Sequence, residues 1–227
     1  MQPIIRSMRA NQILKRLFDL IVACTLLILL SPVLLLVALL ILLLEGWPIF
    51  YISRRFIALE RSVPIFKFRT MVRDAKSPKY RLNERYMRDG YLDIPIDCEV
   101  YTPIGRWLER TQLVEILQLL NVIFHGVSLI GNRPLPRENL ELLKKFEGWE
   151  QRFDSPAGLS GITQVVGKMQ QQPRERIELE CLYSRLYRQG SIFRCDLIIM
   201  WYTARLILFR KPLSNEAARQ LMLGMLG

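Results

Sequence analysis

Residues 20–44 read LIVACTLLILLSPVLLLVALLILLL, a run of twenty-five residues without a charge. A helix of about 20 apolar residues is enough to cross the hydrocarbon core of a bilayer. This run therefore commits the chain to a membrane, and the rest must fold around that constraint. Two features oppose a plain crossing. Pro32 has no N–H and clashes with the preceding turn, so it breaks or kinks a helix. Ser31 can bond the backbone carbonyl that is freed. Both flanks are also basic: Arg6, Arg9, Lys15 and Arg16 precede the run, and Arg54, Arg55, Arg61, Lys67, Arg69 and Arg73 follow it. Short Lys/Arg-rich flanks are retained in the cytoplasm. If both are retained, the segment enters and leaves on one face. The residues thus predict a re-entrant helix–break–helix with Ser31-Pro32 at the break, against the alternative of an ordinary kinked transmembrane helix. The run is too long for the apolar part of a signal peptide, and no small-residue cleavage site follows it, so it is expected to stay in the mature protein.

After the first 50 residues roughly 175 remain, enough for one domain with its own core. The formal net charge is +11, with 32 Lys+Arg against 21 Asp+Glu. Such a balance favours an anionic partner. Beside a membrane segment, that means lipid headgroups and phosphate esters rather than nucleic acid. No zinc-finger spacing or RNA-binding aromatic signature is present. Cys24, Cys98, Cys181 and Cys195 are scattered without metal-ligand spacing, which fits reduced thiols. The single histidine, His125, excludes a multi-histidine metal centre and reads as a turn residue before Gly126.

Residues 1–19 form a basic amphipathic lead-in suited to the headgroup level. Residues 46–71 pass from GWPIFYI, with interfacial Trp47 and Tyr51, into FKFRTM. Residues 72–100 read as a charged surface loop, punctuated by Ser77-Pro78 and Asp89-Gly90, with a short helix near 79–88. Apolar residues at helical spacing predict a helix over 103–124. A turn-rich connection over 126–136 and a short helix over 137–150 follow. The Gly-rich stretch 155–168 reads as a loop plus a short strand. Two helices are expected at 174–189 and 192–210, the second basic and apolar enough for a membrane face or a homodimer contact. The expected fold class is mostly α with little β: an N-terminal re-entrant membrane hairpin plus one small cytoplasmic α+β domain with interfacial amphipathic helices. Its expected parts are lead-in and hairpin at 1–50, cytoplasmic domain at 51–210 and C-terminal tail at 211–227.

Four places carry candidate chemistry. Lys67-Phe68-Arg69 puts two cations on one side of an extended segment, which suits a phosphate as well as an ordinary membrane-surface patch. Gly131-Asn132-Arg133-Pro134 is a tight turn presenting one Arg, a side chain able to grip phosphate bidentately. Gly158 and Gly161, followed by Thr163, Gln164, Gly167 and Lys168, could let backbone N–H groups approach an anion. Their spacing is neither a Walker loop nor a dinucleotide fingerprint. Glu115 lies in an apolar helical stretch, where a buried carboxylate needs a partner or a task; a solvent-facing position is the plainer reading.

In their order these segments resemble the bacterial sugar transferases, the monotopic phosphoglycosyl transferases that start lipid-linked glycan assembly. The resemblance covers about residues 12–210. It is carried by KRLFD (15–19), Ser31-Pro32, KFRTM (67–71), TPIGRWLERT (102–111), LVEILQLLNV (113–122), SLIGNRP (128–134) and PAGLSGITQVVGK (156–168), with Asp196 and Thr203 in the final helix. It implies transfer of a sugar 1-phosphate from a UDP-sugar to a polyprenyl phosphate, usually undecaprenyl phosphate, with release of UMP. This step initiates exopolysaccharide, O-antigen or glycoconjugate assembly at the cytoplasmic face of a bacterial inner membrane. It also implies a re-entrant hairpin, a magnesium ion and an adjacent Asp-Glu pair whose Asp attacks the donor. Carried over residue by residue, Glu115 matches the dyad Glu and is the candidate catalytic group and possible metal ligand. Lys67, Arg69, Arg133 and Gln164 are the candidate substrate- and phosphate-binding residues.

The sequence also departs from the family, and the resemblance implies that the changes at the nucleophile, a nearby Arg and the DPR element belong to one polar site. Val114 stands where the family carries the nucleophilic Asp, and Leu117 where it carries Pro. Glu109 replaces an Arg, and the upstream DPR element is reduced to Cys98-Glu99-Val100. Three readings follow: a transferase using Glu115 as nucleophile or base, a non-catalytic relative that binds polyprenyl phosphate or a partner transferase, or an enzyme for a different activated group.

Overall fold

A computed structural model describes residues 2–88, 91–167, 171–190 and 192–226. Its first element, α1 (Gln2–Glu45), runs unbroken through Pro32. Ser31 and Pro32 thus stay helical and do not separate two helices. The physical reason is local. The absent N–H of Pro32 would have served the Ile28 carbonyl, and the Ser31 hydroxyl donates to that carbonyl at 2.8 Å. Lys15, Asp19, Ala23, Leu34, Val37 and Ile41 are buried along one stripe of α1, at the three- and four-residue steps of a helix face. Ile21, Ile28, Leu35 and Leu43 on other faces are 65–72% exposed. From Ala10 to Glu45 this helix is long and apolar enough to cross a membrane.

Both flanks of the apolar run of α1 are tied to the same domain. Before the run, Arg16 donates to the Val122 and Val127 carbonyls at 2.7 and 3.0 Å, and Lys15 to the Ile130 carbonyl at 3.1 Å. At its end, Arg69 donates to the Glu45 and Gly46 carbonyls at 3.0 Å.

An antiparallel hairpin follows, β1 (Phe50–Phe56) with β2 (Ser62–Phe68), in register Phe50↔Phe68 and Phe56↔Ser62. The charged stretch then holds a 3-10 turn (Pro78–Tyr80), α2 (Leu82–Tyr86) and the short pair β3 (Met87–Arg88) and β4 (Tyr91–Leu92). Asp89-Gly90 lies outside the described residues. The single helix expected over 103–124 is three elements: α3 (Pro103–Thr111), a 3-10 segment (Leu113–Gln118) and α4 (Leu119–His125). Thr102 caps α3 by accepting from Gly105 N at 2.9 Å, with Pro103 in the first turn. Gln112 then enters the left-handed region at φ 60°, which ends α3 and turns the chain.

β5 (Ser128–Ile130) pairs in parallel with β6 (Gly158–Ser160), and between them lie α5 (Arg137–Leu143) and a 3-10 segment (Trp149–Asp154). α6 (Ile162–Val166), α7 (Pro173–Gln189), α8 (Ile192–Phe209) and α9 (Asn215–Leu226) complete the domain. The chain is mostly helical with small sheets, as expected. The stretch set apart as a C-terminal tail is a docked helix. Ala218 and Met222 of α9 are fully buried in the main core with Ile199, Leu182 and Val166, and Arg219 pairs with Glu178 at 2.6 Å.

Beneath α1 lies a buried polar knot. Lys15 is paired with Asp196, and the Tyr183 hydroxyl sits 2.8 Å from Asp196 Oδ1 and 3.0 Å from the Ile130 carbonyl. Ser128 Oγ donates to Asp19 at 2.5 Å. These bonds join α1, α7, α8 and β5. Burial pushes the Asp196 carboxyl up to about 6, although Lys15 and Tyr183 pull it down. This value lies above the ordinary 3.8. The folded state therefore holds the proton more tightly than the unfolded chain, so stability falls as pH rises from about 4 to about 6 and then levels off. The span corresponds to about 3 kcal/mol. Thermal unfolding of purified wild type and Asp196→Asn across that window reads it: the variant lacks this decline, so the gap between the two curves changes by that amount and is constant above pH 7.

Candidate functional site

Four segments supply the site, and each is aimed by simple periodicity. On the hairpin, Val63, Ile65 and Lys67 alternate onto one face of β2, and Arg55 joins them because it pairs across from Val63. In the 3-10 segment, residues three apart eclipse. Val114 and Leu117 therefore share one side and pack into the apolar cluster with Leu34, Val37, Ile41 and Phe68. Glu115 and Gln118 share the other. The fourth segment is the turn after β5, which carries Arg133.

These side chains converge. Lys67 Nζ lies 2.9 Å from Glu115 Oε1, and Arg133 Nη2 lies 3.3 Å from the same oxygen. Arg55, Ile65, Lys67, Gln118, Arg133, Pro134, Gly158 and Leu159 line the cleft beside them. Glu115, Lys67 and Arg133 keep 21–23% of their side-chain surface open to solvent, so a ligand can reach them. Burial first, and then the neighbouring Arg133 charge, lowers the pKa of Arg55. A cation held beside a second cation marks a place prepared for an anion.

The Arg133 turn is fixed from below. Asn132 Nδ2 points at the Arg152 and Glu180 carbonyls at 2.7 and 3.0 Å. Arg152, 1% exposed, donates to Glu180 Oε2 at 2.7 Å and to the Arg133 carbonyl at 2.8 Å. Burial raises the Glu180 pKa, but Arg152 and Arg176 outweigh it and hold it below the ordinary value. Arg133 thus stands on a buried ion pair, which fixes where its side chain starts.

Two expectations change here. Arg69 does not join Lys67. Strand alternation ends at Phe68, and the Arg69 guanidinium turns to the end of α1, 3.6 Å from Glu45. Gln164 lies on α6, where it accepts from Thr163 at 3.0 Å and reaches toward the carbonyl of Leu159, a cleft-lining residue, at 3.4 Å. The glycines are not an anion cradle. The Gly158 N–H donates to the Asn132 carbonyl, and a Cβ on Gly131 would fall 2.3 Å from the Pro156 oxygen. A Cβ on Gly161 would fall 2.1 Å from the Gly131 oxygen. These glycines let β5 and the chain around β6 approach backbone to backbone. Lys168 lies outside the described residues. Two cleft residues, Arg55 and Gln118, went unmarked in the sequence. The signals that find them are the cross-strand register and the three-residue step from Glu115.

Magnesium fits this donor set poorly. Among the described residues no carboxylate lines the cleft itself, and Lys67 and Arg133 already crowd Oε1 of Glu115 beside it. Its neighbour Val114 is 1% exposed and apolar. Among the described residues, no group of three or more His, Cys, Asp or Glu is placed to hold a metal.

The chain matches the family model described as bacterial sugar transferase over residues 10–210. It is 28% identical over 195 residues to the UDP-glucose:undecaprenyl-phosphate glucose-1-phosphate transferase of Klebsiella pneumoniae, covering 85% of this chain and 40% of that protein. It is 31% identical over 198 residues to the exopolysaccharide production protein ExoY of Rhizobium meliloti, covering 83% of each. The undecaprenyl-phosphate galactose phosphotransferase of Salmonella typhimurium is 26% identical over 207 residues, covering 89% of this chain and 42% of that protein. The chain thus spans less than half the length of the Klebsiella and Salmonella relatives.

Proposed function

The chain belongs to the bacterial sugar transferase family, and from that premise we propose that it moves a sugar 1-phosphate from a UDP-sugar to a polyprenyl phosphate at the cytoplasmic face of the inner membrane. The observation that carries this reading is the convergence of Arg55, Lys67 and Arg133 on one cleft around Glu115. The three cations come from separate segments and suit a diphosphate. In the proposed reaction a Glu115 carboxylate oxygen attacks the β-phosphorus of the donor. The bridging P–O bond breaks, and its electron pair leaves with UMP. Lys67, Arg133 and Arg55 neutralise the phosphoryl oxygens. An oxygen of the polyprenyl phosphate then attacks the same phosphorus and releases the carboxylate.

The same reading keeps both flanks of the apolar run of α1 on one side of the bilayer. Lys15 and Arg16 before the run and Glu45 after it are hydrogen-bonded to one domain, so a domain on one side of the bilayer keeps both flanks there. Exposed Trp47, Trp201, Leu208 and Phe209 suit the headgroup boundary and the lipid below it. Labelling of cysteines placed at the two ends of 20–44 from opposite sides of the membrane would overturn this topology.

Burial of Val114 favours a second reading, a relative that binds polyprenyl phosphate or a partner transferase without turnover. Purified protein with radiolabelled UDP-sugars and undecaprenyl phosphate separates the two. Label in the lipid phase supports the transferase; none, with every common UDP-sugar tried, supports the binder.

A further inference from the structure

The charges of the cleft do not match a divalent cation. Three basic side chains line it, and the carboxylate that touches them shares one oxygen between Lys67 and Arg133. Beyond it, Glu138 offers Arg55 only weak compensation, less than the opposing effects of burial and Arg133. A divalent ion drawn to Glu115 would have to settle beside an ammonium and a guanidinium, where repulsion opposes it. An incoming diphosphate meets the opposite field. Its oxygens can take over the same two cations, with Arg as a bidentate fork.

We propose that this cleft binds the diphosphate of a nucleoside-diphosphate donor without a divalent cation. Arg55, Lys67 and Arg133 supply the positive charge, and Glu115 holds the last two in place until the diphosphate displaces it. The inference rests on the reading above that the cleft takes such a donor. It gives Glu115 two states. With no donor its carboxylate is the counter-ion of Lys67 and Arg133. With donor bound, those cations belong to the phosphates, and the carboxylate is released beside phosphorus. Ligand binding and exposure of the nucleophile are then one event.

The test is calorimetric titration of UDP into the full chain in lipid nanodiscs, once with magnesium and once with EDTA. The expected Kd is the same within about threefold in the two buffers and weakens as salt is raised. Glu115→Gln removes the competing carboxylate and tightens UDP by about tenfold in EDTA, while Arg133→Gln weakens it by about tenfold or more. Weakening of wild-type binding by tenfold or more in EDTA overturns the proposal, and this comparison needs no variant to fold. Loss of UDP binding in Glu115→Gln also overturns it, since Glu115 would then hold the ligand. If UDP fails to bind in both buffers, pyrophosphate in EDTA decides. Pyrophosphate bound there and lost in Arg133→Gln upholds the metal-free anion site and removes the nucleotide donor; no binding of pyrophosphate removes the site itself.

Discussion

Glu115→Gln protein is expected to lose transfer from UDP-sugar to undecaprenyl phosphate by about 10³-fold or more, because a carboxamide cannot form the phosphosugar ester. Fold loss does not explain such an effect. Gln matches Glu in shape, and the two ion pairs it removes are partly open to water. Such pairs contribute on the order of 0–1 kcal/mol. The variant should therefore melt close to wild type while turnover collapses. Two further readouts separate a nucleophile from a bystander. Wild type incubated with donor alone should gain the mass of one phosphosugar, and the variant should not. Turnover kept within about tenfold of wild type would remove Glu115 as nucleophile. It would leave direct attack on the donor by the polyprenyl phosphate, whose own oxygens need no carboxylate to be nucleophilic.

The anchor was the most legible part of the sequence, because lipid imposes one strong rule on backbone polar groups. Even the repair at Ser31 was readable: the carbonyl orphaned by Pro32 has one near hydroxyl, and that hydroxyl takes it. The break expected at Ser31-Pro32 is absent, since a satisfied carbonyl lets the helical turn continue. The stretch 103–124 looked like one helix because its apolar spacing passes through Gln112 without a fault. A left-handed residue there rotates everything after it, and the tighter 3-10 step then sorts Glu115 from Val114. Arg69 and the glycines failed for a different reason. Their chemistry serves a ligand phosphate or a protein carbonyl equally well, and only tertiary position decides. Lys67, Glu115 and Arg133 were found through the resemblance as well as through charge. Their meeting within 3.3 Å depends on a turn held by Asn132 and Arg152, residues distant in sequence from Lys67.

Restoring the family's acid with Val114→Asp is expected to damage the protein, not to revive a nucleophile. Val114 is 1% exposed, and its cluster joins the second half of α1 (Leu34, Val37, Ile41) to Phe68 of β2 and Leu108 of α3. A carboxylate placed there has apolar neighbours only within that cluster. Left ionised and unpaired it costs about 3–5 kcal/mol; protonated, it still loses the packing of a branched side chain. Against a total stability of about 5–15 kcal/mol for a domain, that is enough to loosen α1 from the hairpin. The expected result is a lower melting temperature in nanodiscs, greater protease access near Glu45, and no gain in sugar transfer. Val114→Ala gives the comparison: it removes two methyls without adding charge, so its loss should be smaller, about 1–3 kcal/mol. The opposite result would be as informative. A Val114→Asp protein that melts like wild type and transfers sugar faster would mean that the 3-10 segment can rotate by one residue. The position beside Glu115 would then face the cleft, and the burial of Val114 would be the resting form of a switchable site.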